Sequence, residues 1–294
     1  MVAADAVADP PLAVRPPLGL GWRPEIADYV AQLVDRLGFV ELIAENLSPT
    51  RIPATVAALV HRGLPVVPHG VTLSLGGVAE PDPRRVAHLA ACAEALGAPL
   101  VSEHVAFVRA EIDGRVVEAG HLLPVPRTAE ALDVLTRNIR LVQAELPVPL
   151  AVEPVAALLD LGGEYDEADF LTELVERTGV WLLPDVANVY ANAVNHGGSA
   201  ADQLRRWPLE HVAYAHVAGG RIIDGRYRDT HLDPVPDAVI ALVADLTRAR
   251  SDAALPPAPM LLERDGNYPP ADELTAELDV IARAASVRVI GTGR

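Results

Sequence analysis

The chain has 294 residues, half of them hydrophobic, which is enough to bury the core of one large domain or two ordinary ones. Its formal charge of −16 disfavours nucleic acid and anionic membranes as partners, because both require a cationic face. The single cysteine, Cys92, allows neither an intrachain disulfide nor a thiolate metal site and fits a reducing cytoplasm, and the absence of lysine excludes Schiff-base and phosphate-loop lysine chemistry.

Residues 1–16 lack a basic region followed by a long apolar run, so they read as a disordered lead-in and not a signal peptide, with one barrel domain expected over 17–294. No stretch approaches the roughly 18 uninterrupted apolar residues of a membrane span. Leu18 to Trp22 is a short apolar run, and Pro24 opens a helix that Gly38 ends. Phe39 to Ala44 reads as a strand closing on Glu45 and Asn46, followed by a helix over about 52–61. The next strand ends at His69 and Gly70. Asp82 and Pro83 start a helix stopped by Gly97. Leu100 to Ser102 leads to Glu103 and His104, and residues 110–126 read as a hairpin turning at Asp113-Gly114. A long amphipathic helix covers Thr128 to Leu146. Leu150 to Val152 then leads to Glu153, and a helix over about 167–178 precedes the apolar run Trp181 to Leu183.

That run stops at Pro184 and Asp185, with Asn188 three residues further and a polar turn at Asn195 to Gly197. A short helix at Ala200 to Arg206 follows. Val212 to Ala215 ends in His216, and a loop carries Asp229, Thr230 and His231. Val235 to Arg248 is helical, Met260 to Leu262 ends in Glu263, Arg264 and Asp265, and a last helix covers about 271–285. Eight strand-then-helix units at roughly 30- to 40-residue spacing, with apolar strands, predict a parallel (β/α)8 TIM barrel. The first strand–helix turn has no GxGxxG, which argues against a dinucleotide fold.

In such a barrel the C-terminal strand ends face one bowl. His69, His104, Glu153, Asp185, Asn188, His216 and Glu263 would meet there, joined by Asp229 and His231 from a loop. Alone, each has a plainer role: a satisfied structural histidine, a helix N-cap for Asp185 or Asp229, a turn for Asn188, a rim ion pair for Glu263 to Asp265. Five strands that each end in a ligand-type side chain point instead to a shared site for two or three divalent metals, with iron, manganese or zinc fitting the nitrogen and oxygen donors. Glu45 and Asn46 are expected as an outer shell holding the ligands. His196 is expected to line the bowl, and Arg264, Asp265 and Arg23 to contact substrate, the arginines through a carboxylate. His121 is placed near substrate, His61 and His88 on solvated helix faces, His211 at the barrel floor, and Cys92 in the core.

The segments GLGWRPE (19–25), FVELIAEN (39–46), PHGVTLSLG (68–76), SEHVAF (102–107), HLLPVP (121–126), PDVANVY (184–190), HVAGG (216–220), DTHLDPV (229–235) and LLERDGN (261–267) resemble those of the multinuclear non-haem iron-dependent oxidative enzymes, the family of the methanobactin biosynthesis oxidase. The resemblance runs over about residues 18–285. It implies a barrel holding two or three irons in mixed Fe(II)/Fe(III) states, which uses dioxygen to modify a residue, often cysteine, of a ribosomally made precursor peptide. By position, His69, His104, Glu153, Asp185, Asn188, His216, Asp229, His231 and Glu263 match the family's ligands. Glu153 would bridge two ions, with His69, His104 and Glu153 at the reacting centre. Asp229, His231 and Asn188 would serve the third iron. The resemblance also implies a leader-binding partner protein. The chain departs from the family's usual pattern at Pro154, Ala187 and Gly220, where Asn, Asn and His are usual. Two rival functions remain: a zinc or manganese barrel isomerase or hydrolase, and a non-catalytic metal- or peptide-binding protein.

Overall fold

A computed structural model describes residues 10–286. Eight short strands form the staves of a barrel: β1 (Leu18–Gly21), β2 (Phe39–Ile43), β3 (Val66–His69), β4 (Val101–Ile112), β6 (Leu150–Pro154), β7 (Trp181–Leu182), β8 (Ala215–Ala218) and β11 (Met260–Glu263). They follow the order β7-β6-β4-β3-β2-β1-β11-β8, and each pairing between neighbours is parallel. Single bridges from Leu182 to Val212 and from Asp185 to His216 close the ring between β7 and β8. The expected (β/α)8 fold is therefore present. Strand β5 (Arg115–Pro124) turns back on β4, and β9 (Gly220–Ile223) pairs with β10 (Arg226–Asp229) above the barrel.

The helices are α1 (Ala27–Leu33), α2 (Ala54–His61), α3 (Pro83–Leu96), α4 (Ala129–Glu145), α5 (Glu167–Thr178), α6 (Val186–His196), α7 (Ala200–Arg206), α8 (Asp237–Asp252) and α9 (Ala271–Ala284). Their ends follow local chemistry. Asp82 accepts from Arg84 N ahead of Pro83, and Gly97 stops α3 in the left-handed region at φ 58°. Asp166 and Gly179 do the same for α5. None of the described helices is long and apolar enough to cross a membrane.

Alternation along the strands divides the barrel interior into two layers. Phe39, Val67, Leu100, Ala151, Leu183 and Leu261 form an apolar floor. Two residues further along the chain in each case stand Glu41, His69, Ser102, Glu153, Asp185 and Glu263, all buried. One period of the pleat thus converts core into site.

Three elements differ from expectation. β4 does not stop near Ser102 but continues to Ile112, because its distal half pairs with β5 after leaving the barrel. Residues 186–196, read as a turn-ended stretch, form α6, whose apolar face of Val186 and Val189 packs inward behind an Asp185 cap. The loop expected to carry Asp229 is the β9–β10 hairpin. Of the lead-in expected over 1–16, residues 1–9 lie outside the described residues. Leu12 is 2% exposed and packs into the apolar floor, so ordered packing begins before residue 17.

Candidate metal centre

The upper layer is a cluster of imidazoles and carboxylates. Glu153 Oε2 lies 3.8 Å from His69 Nε2, 3.6 Å from His104 Nε2 and 3.4 Å from His216 Nδ1. One carboxylate oxygen therefore faces three rings from three different strands. His216 Nδ1 also lies 3.0 Å from Glu263 Oε2. Toward the mouth, His231 Nε2 sits 2.5 Å from Asp229 Oδ2 and 3.9 Å from Asp185 Oδ2, while its Nδ1 faces Glu263 Oε2 at 3.6 Å. His231 has a left-handed backbone, φ 54°, an uncommon conformation for a non-glycine residue and one often found at functional sites.

Among the described residues, five overlapping triads have their ligand atoms within 4.8 Å of one another: His69/His104/Glu153, Glu153/Asp185/His216, Asp185/Asp229/His231, Glu41/His216/Glu263 and His231/Glu263/Asp265. The first three share members in sequence, Glu153 and then Asp185, as bridging carboxylates would. Buried polar atoms almost always find a hydrogen-bond partner. Here Glu153 Oε2, Asp185 Oδ2, His216 Nδ1 and Asp229 Oδ1 are buried with none in hydrogen-bond geometry. These four belong to the cluster, while others, such as Thr136 Oγ1 and Trp207 Nε1, lie elsewhere in the described residues. Nitrogen and oxygen donors without sulfur fit first-row metal ions, which would satisfy these atoms.

Asp185 does two jobs at once. Its Oδ1 accepts from Ala187 N at 2.6 Å and caps α6, which leaves Oδ2 for the cluster. Asn188, in the first turn of α6, donates from Nδ2 to Glu153 Oε1 at 3.0 Å and to Pro154 O at 3.3 Å. In this arrangement it braces the shared carboxylate.

Burial and close charges shift the acidities of the cluster. Burial pushes the Glu153 carboxyl up to about 7 against the pull of His104 and His216. Burial, then the charges of Asp229 and Glu153, raise Asp185 well above the usual carboxylate range. Burial lowers His69 to about 4. His104 rises to about 9, because Glu153 and Glu103 outweigh the burial that opposes its charge.

The other expected residues separate. Asp265 joins the rim: its Oδ2 lies 3.3 Å from His231 Nδ1 and its Oδ1 accepts from Arg23. Arg23 also reaches Glu263 at 3.4 Å, so its guanidinium is engaged by the protein's own carboxylates. Arg264, expected to contact substrate, is held by the protein's own groups. It is 4% exposed, and it bonds the carbonyls of Leu232, Asp233 and Asn267 and the carboxylate of Glu277. Glu45 and Asn46 are exposed and outside the cluster, because they lie beyond the end of β2 on a 3₁₀ turn. Glu45 instead accepts from Val71 N at 2.9 Å and Thr72 Oγ1 at 2.7 Å, which holds the loop that follows His69. His196 is exposed at the end of α6, with Nε2 2.6 Å from Ala157 O. His88 is half-buried with Nε2 2.9 Å from Ala44 O, not solvated as its helix suggested.

The sequence reading overlooked Glu41, Tyr214 and Ser102. Glu41 Oε2 lies 3.0 Å from His216 Nε2, and Ser102 Oγ lies 2.8 Å from His69 Nδ1. The available signal was a carboxylate two positions inside an apolar strand, where only an inward-facing partner tolerates it.

A cavity of about 240 Å³ opens above the cluster, walled by His121, Val155, Leu158, Asn195, Tyr227 and Arg228 among others. At Gly220 a Cβ would lie 2.3 Å from Arg228 O and 2.8 Å from Tyr227 Oη, so the hairpin's own tyrosine fills the space a side chain there would need.

The barrel resembles D-psicose 3-epimerase from Clostridium cellulolyticum (TM-score 0.55, 13% identity, 91% of this chain and 96% of that one). It also resembles endonuclease IV from Thermus thermophilus (TM-score 0.53, 20% identity, 92% and 98%). At these identities the likeness concerns the fold alone. In sequence, the chain is 52% identical over 269 residues to a UPF0276 protein of Streptomyces avermitilis, spanning 90% of this chain but 54% of that relative. It is 35% identical to a UPF0276 protein of Rhizorhabdus wittichii over 92% of this chain and 95% of the relative. Residues 17–286 match the family model described as RiPP precursor modification enzyme MbnB/TglH/ChrH. With the barrel, the ligand-rich bowl and this match together, the chain belongs to the MbnB/TglH/ChrH family of RiPP precursor modification enzymes.

Proposed function

We propose that the chain is a multinuclear non-haem iron-dependent oxidase that uses dioxygen to modify a residue, cysteine in our reading, of a ribosomally synthesised precursor peptide. The observation that carries this reading is Glu153: one buried, hydrogen-bond-free carboxylate oxygen faces His69, His104 and His216, so two ion sites would share it. His69, His104 and Glu153 would hold one ion, Glu153, Asp185, His216 and Glu263 a second, and Asp185, Asp229 and His231 a third, with Asn188 beside it. Bound iron would supply thiolate anchoring and oxygen activation.

The protein's own contribution is geometric. Strand ends fix the ligands, Asn188 holds Glu153 in orientation, and the apolar floor excludes water from below. The cavity above, about 240 Å³, would take a side chain of the peptide and not a folded partner. Substrate recognition beyond that point would fall to a leader-binding partner protein, and a cytoplasmic setting would keep the substrate thiol reduced.

The test is metal analysis of anaerobically purified protein, joined to oxygen consumption with a cysteine-containing candidate precursor. Two or three irons per chain, a ferric–thiolate absorption band and thiol-dependent oxygen uptake are expected. Zinc as the native metal with no oxygen uptake would replace oxidation by hydrolytic or isomerase chemistry. A His69→Ala or Glu153→Ala variant that keeps full iron and activity would contradict the ligand assignment.

A further inference from the structure

Beneath the cluster lies a chain of buried polar contacts that none of the ligand roles uses. His69 Nδ1 is 2.8 Å from Ser102 Oγ. Ser102 Oγ is 2.8 Å from Tyr214 Oη. The Tyr214 hydroxyl is hydrogen-bonded to Glu41 Oε2, which also lies 3.0 Å from His216 Nε2. All five side chains are buried. The path starts on one ring facing Glu153 and ends on another.

Hydrogen counting constrains the two rings. A serine or tyrosine hydroxyl has a single hydrogen and donates once. His69 faces the shared carboxylate through Nε2 and His216 through Nδ1. A ring that ligates through one nitrogen carries its hydrogen on the other. His69 Nδ1–H would then donate to Ser102 Oγ, and the single hydrogen of the Tyr214 hydroxyl is placed to reach Ser102 Oγ on one side and Glu41 Oε2 on the other. His216 Nε2–H donates to the same Glu41 oxygen from the other side. Glu41 Oε2 thus faces two donors, the Tyr214 hydroxyl and His216 Nε2–H.

We propose that Glu41 and Tyr214, linked through Ser102, are positioning residues that lock the tautomers of His69 and His216 and couple the two rings beneath the metal centre. The inference rests on the metal-centre reading above and deepens it. The two rings are treated unequally. His216 donates directly to a charged oxygen, whereas His69 reaches it through two hydroxyls. A carboxylate behind a ligating imidazole strengthens the ligand and favours the more highly charged ion. His216 is therefore the ring more strongly polarised from behind.

The first experiment uses zinc alone, as a diamagnetic probe, on the full chain labelled with nitrogen-15 at histidine. Long-range proton–nitrogen spectra should show metal on Nε2 and hydrogen on Nδ1 for His69, and the reverse for His216. The opposite tautomer at either ring overturns the proposal. The second compares ferrous-ion affinity and ferric/ferrous midpoint potential in wild type, Tyr214→Phe and Glu41→Gln. Glu41→Gln should weaken one ion by about 10- to 100-fold and shift its potential upward. Tyr214→Phe should give a smaller change in the same direction, and it preserves the ring should Glu41→Gln fold poorly. Unchanged affinity and potential in Tyr214→Phe and in a folded Glu41→Gln overturn the proposal. A wild-type chain that binds neither zinc nor iron removes the metal-centre reading and the proposal together, whereas tight binding with the wrong tautomers removes the proposal alone.

Discussion

Glu153 Oε2 and His216 Nδ1 stand 3.4 Å apart, both buried, and neither has a partner in hydrogen-bond geometry. The two atoms come from β6 and β8, strands separated in the barrel by β7. An acceptor oxygen and a ring nitrogen left facing each other without a bond are costly in a dry interior unless a third group satisfies both.

Glu153→Gln keeps the shape of the side chain and removes its charge. Metal analysis should then find at least one ion fewer per chain, with oxygen consumption lost. An unaltered ion count would show that Glu153 does not bridge.

The metal-free protein should lose stability as pH rises from about 7 to 9. The sign follows from His104, whose folded value is raised to about 9 above its ordinary 6.5. Between those values the folded state holds a proton that the unfolded chain has released, so stability falls with rising pH. Ion binding needs the same ring unprotonated, so apparent metal affinity should rise across the same window. Thermal melts of metal-free protein and metal titrations at pH 7 and pH 9 check both trends, and parallel behaviour in the two would contradict the assignment of His104 as a ligand.

Arg23→Met removes the cation between Asp265 and Glu263. Stranding a buried charge typically costs about 3–5 kcal/mol. The Asp265 side chain is 36% exposed, so the lower end of that range is expected in denaturant melts of metal-free protein. Asp265 also orients His231, so the outermost ion should be the one most weakened.

Leu12→Ala tests the barrel floor. A buried leucine cut to alanine costs about 2–5 kcal/mol. Chemical denaturation should register that loss while iron content stays the same, because the floor and the cluster occupy different layers. A loss of bound iron would tie the two layers together.

The barrel was legible because its signals are local and repeated. Apolar runs at regular spacing, the Asp82-Pro83 start and Gly97 stop of α3, and the turn at Asp113-Gly114 each act over a few residues. Strand ends carrying His69, Glu153 and Glu263 were legible for the same reason. α6 was hidden because Asn188, Asn192 and Asn195 interrupt its apolar face. Those polar groups have tertiary partners: Asn192 holds Ala157 N and Val155 O, and Asn195 holds the Tyr227 backbone.

Sequence by itself determined the staves, their order and the polar side chains at their ends, because these follow from hydrophobic period and side-chain chemistry. Tertiary structure alone decided which polar residues face one another. Glu41 and Glu45 lie four residues apart in one segment, yet the first reaches His216 and the second a surface loop. Arg264 looked like a free cation until the fold surrounded it with carbonyls. Closing a sheet into a ring fixes which face of each strand points inward, and that constraint acts across the ring between residues far apart in the chain.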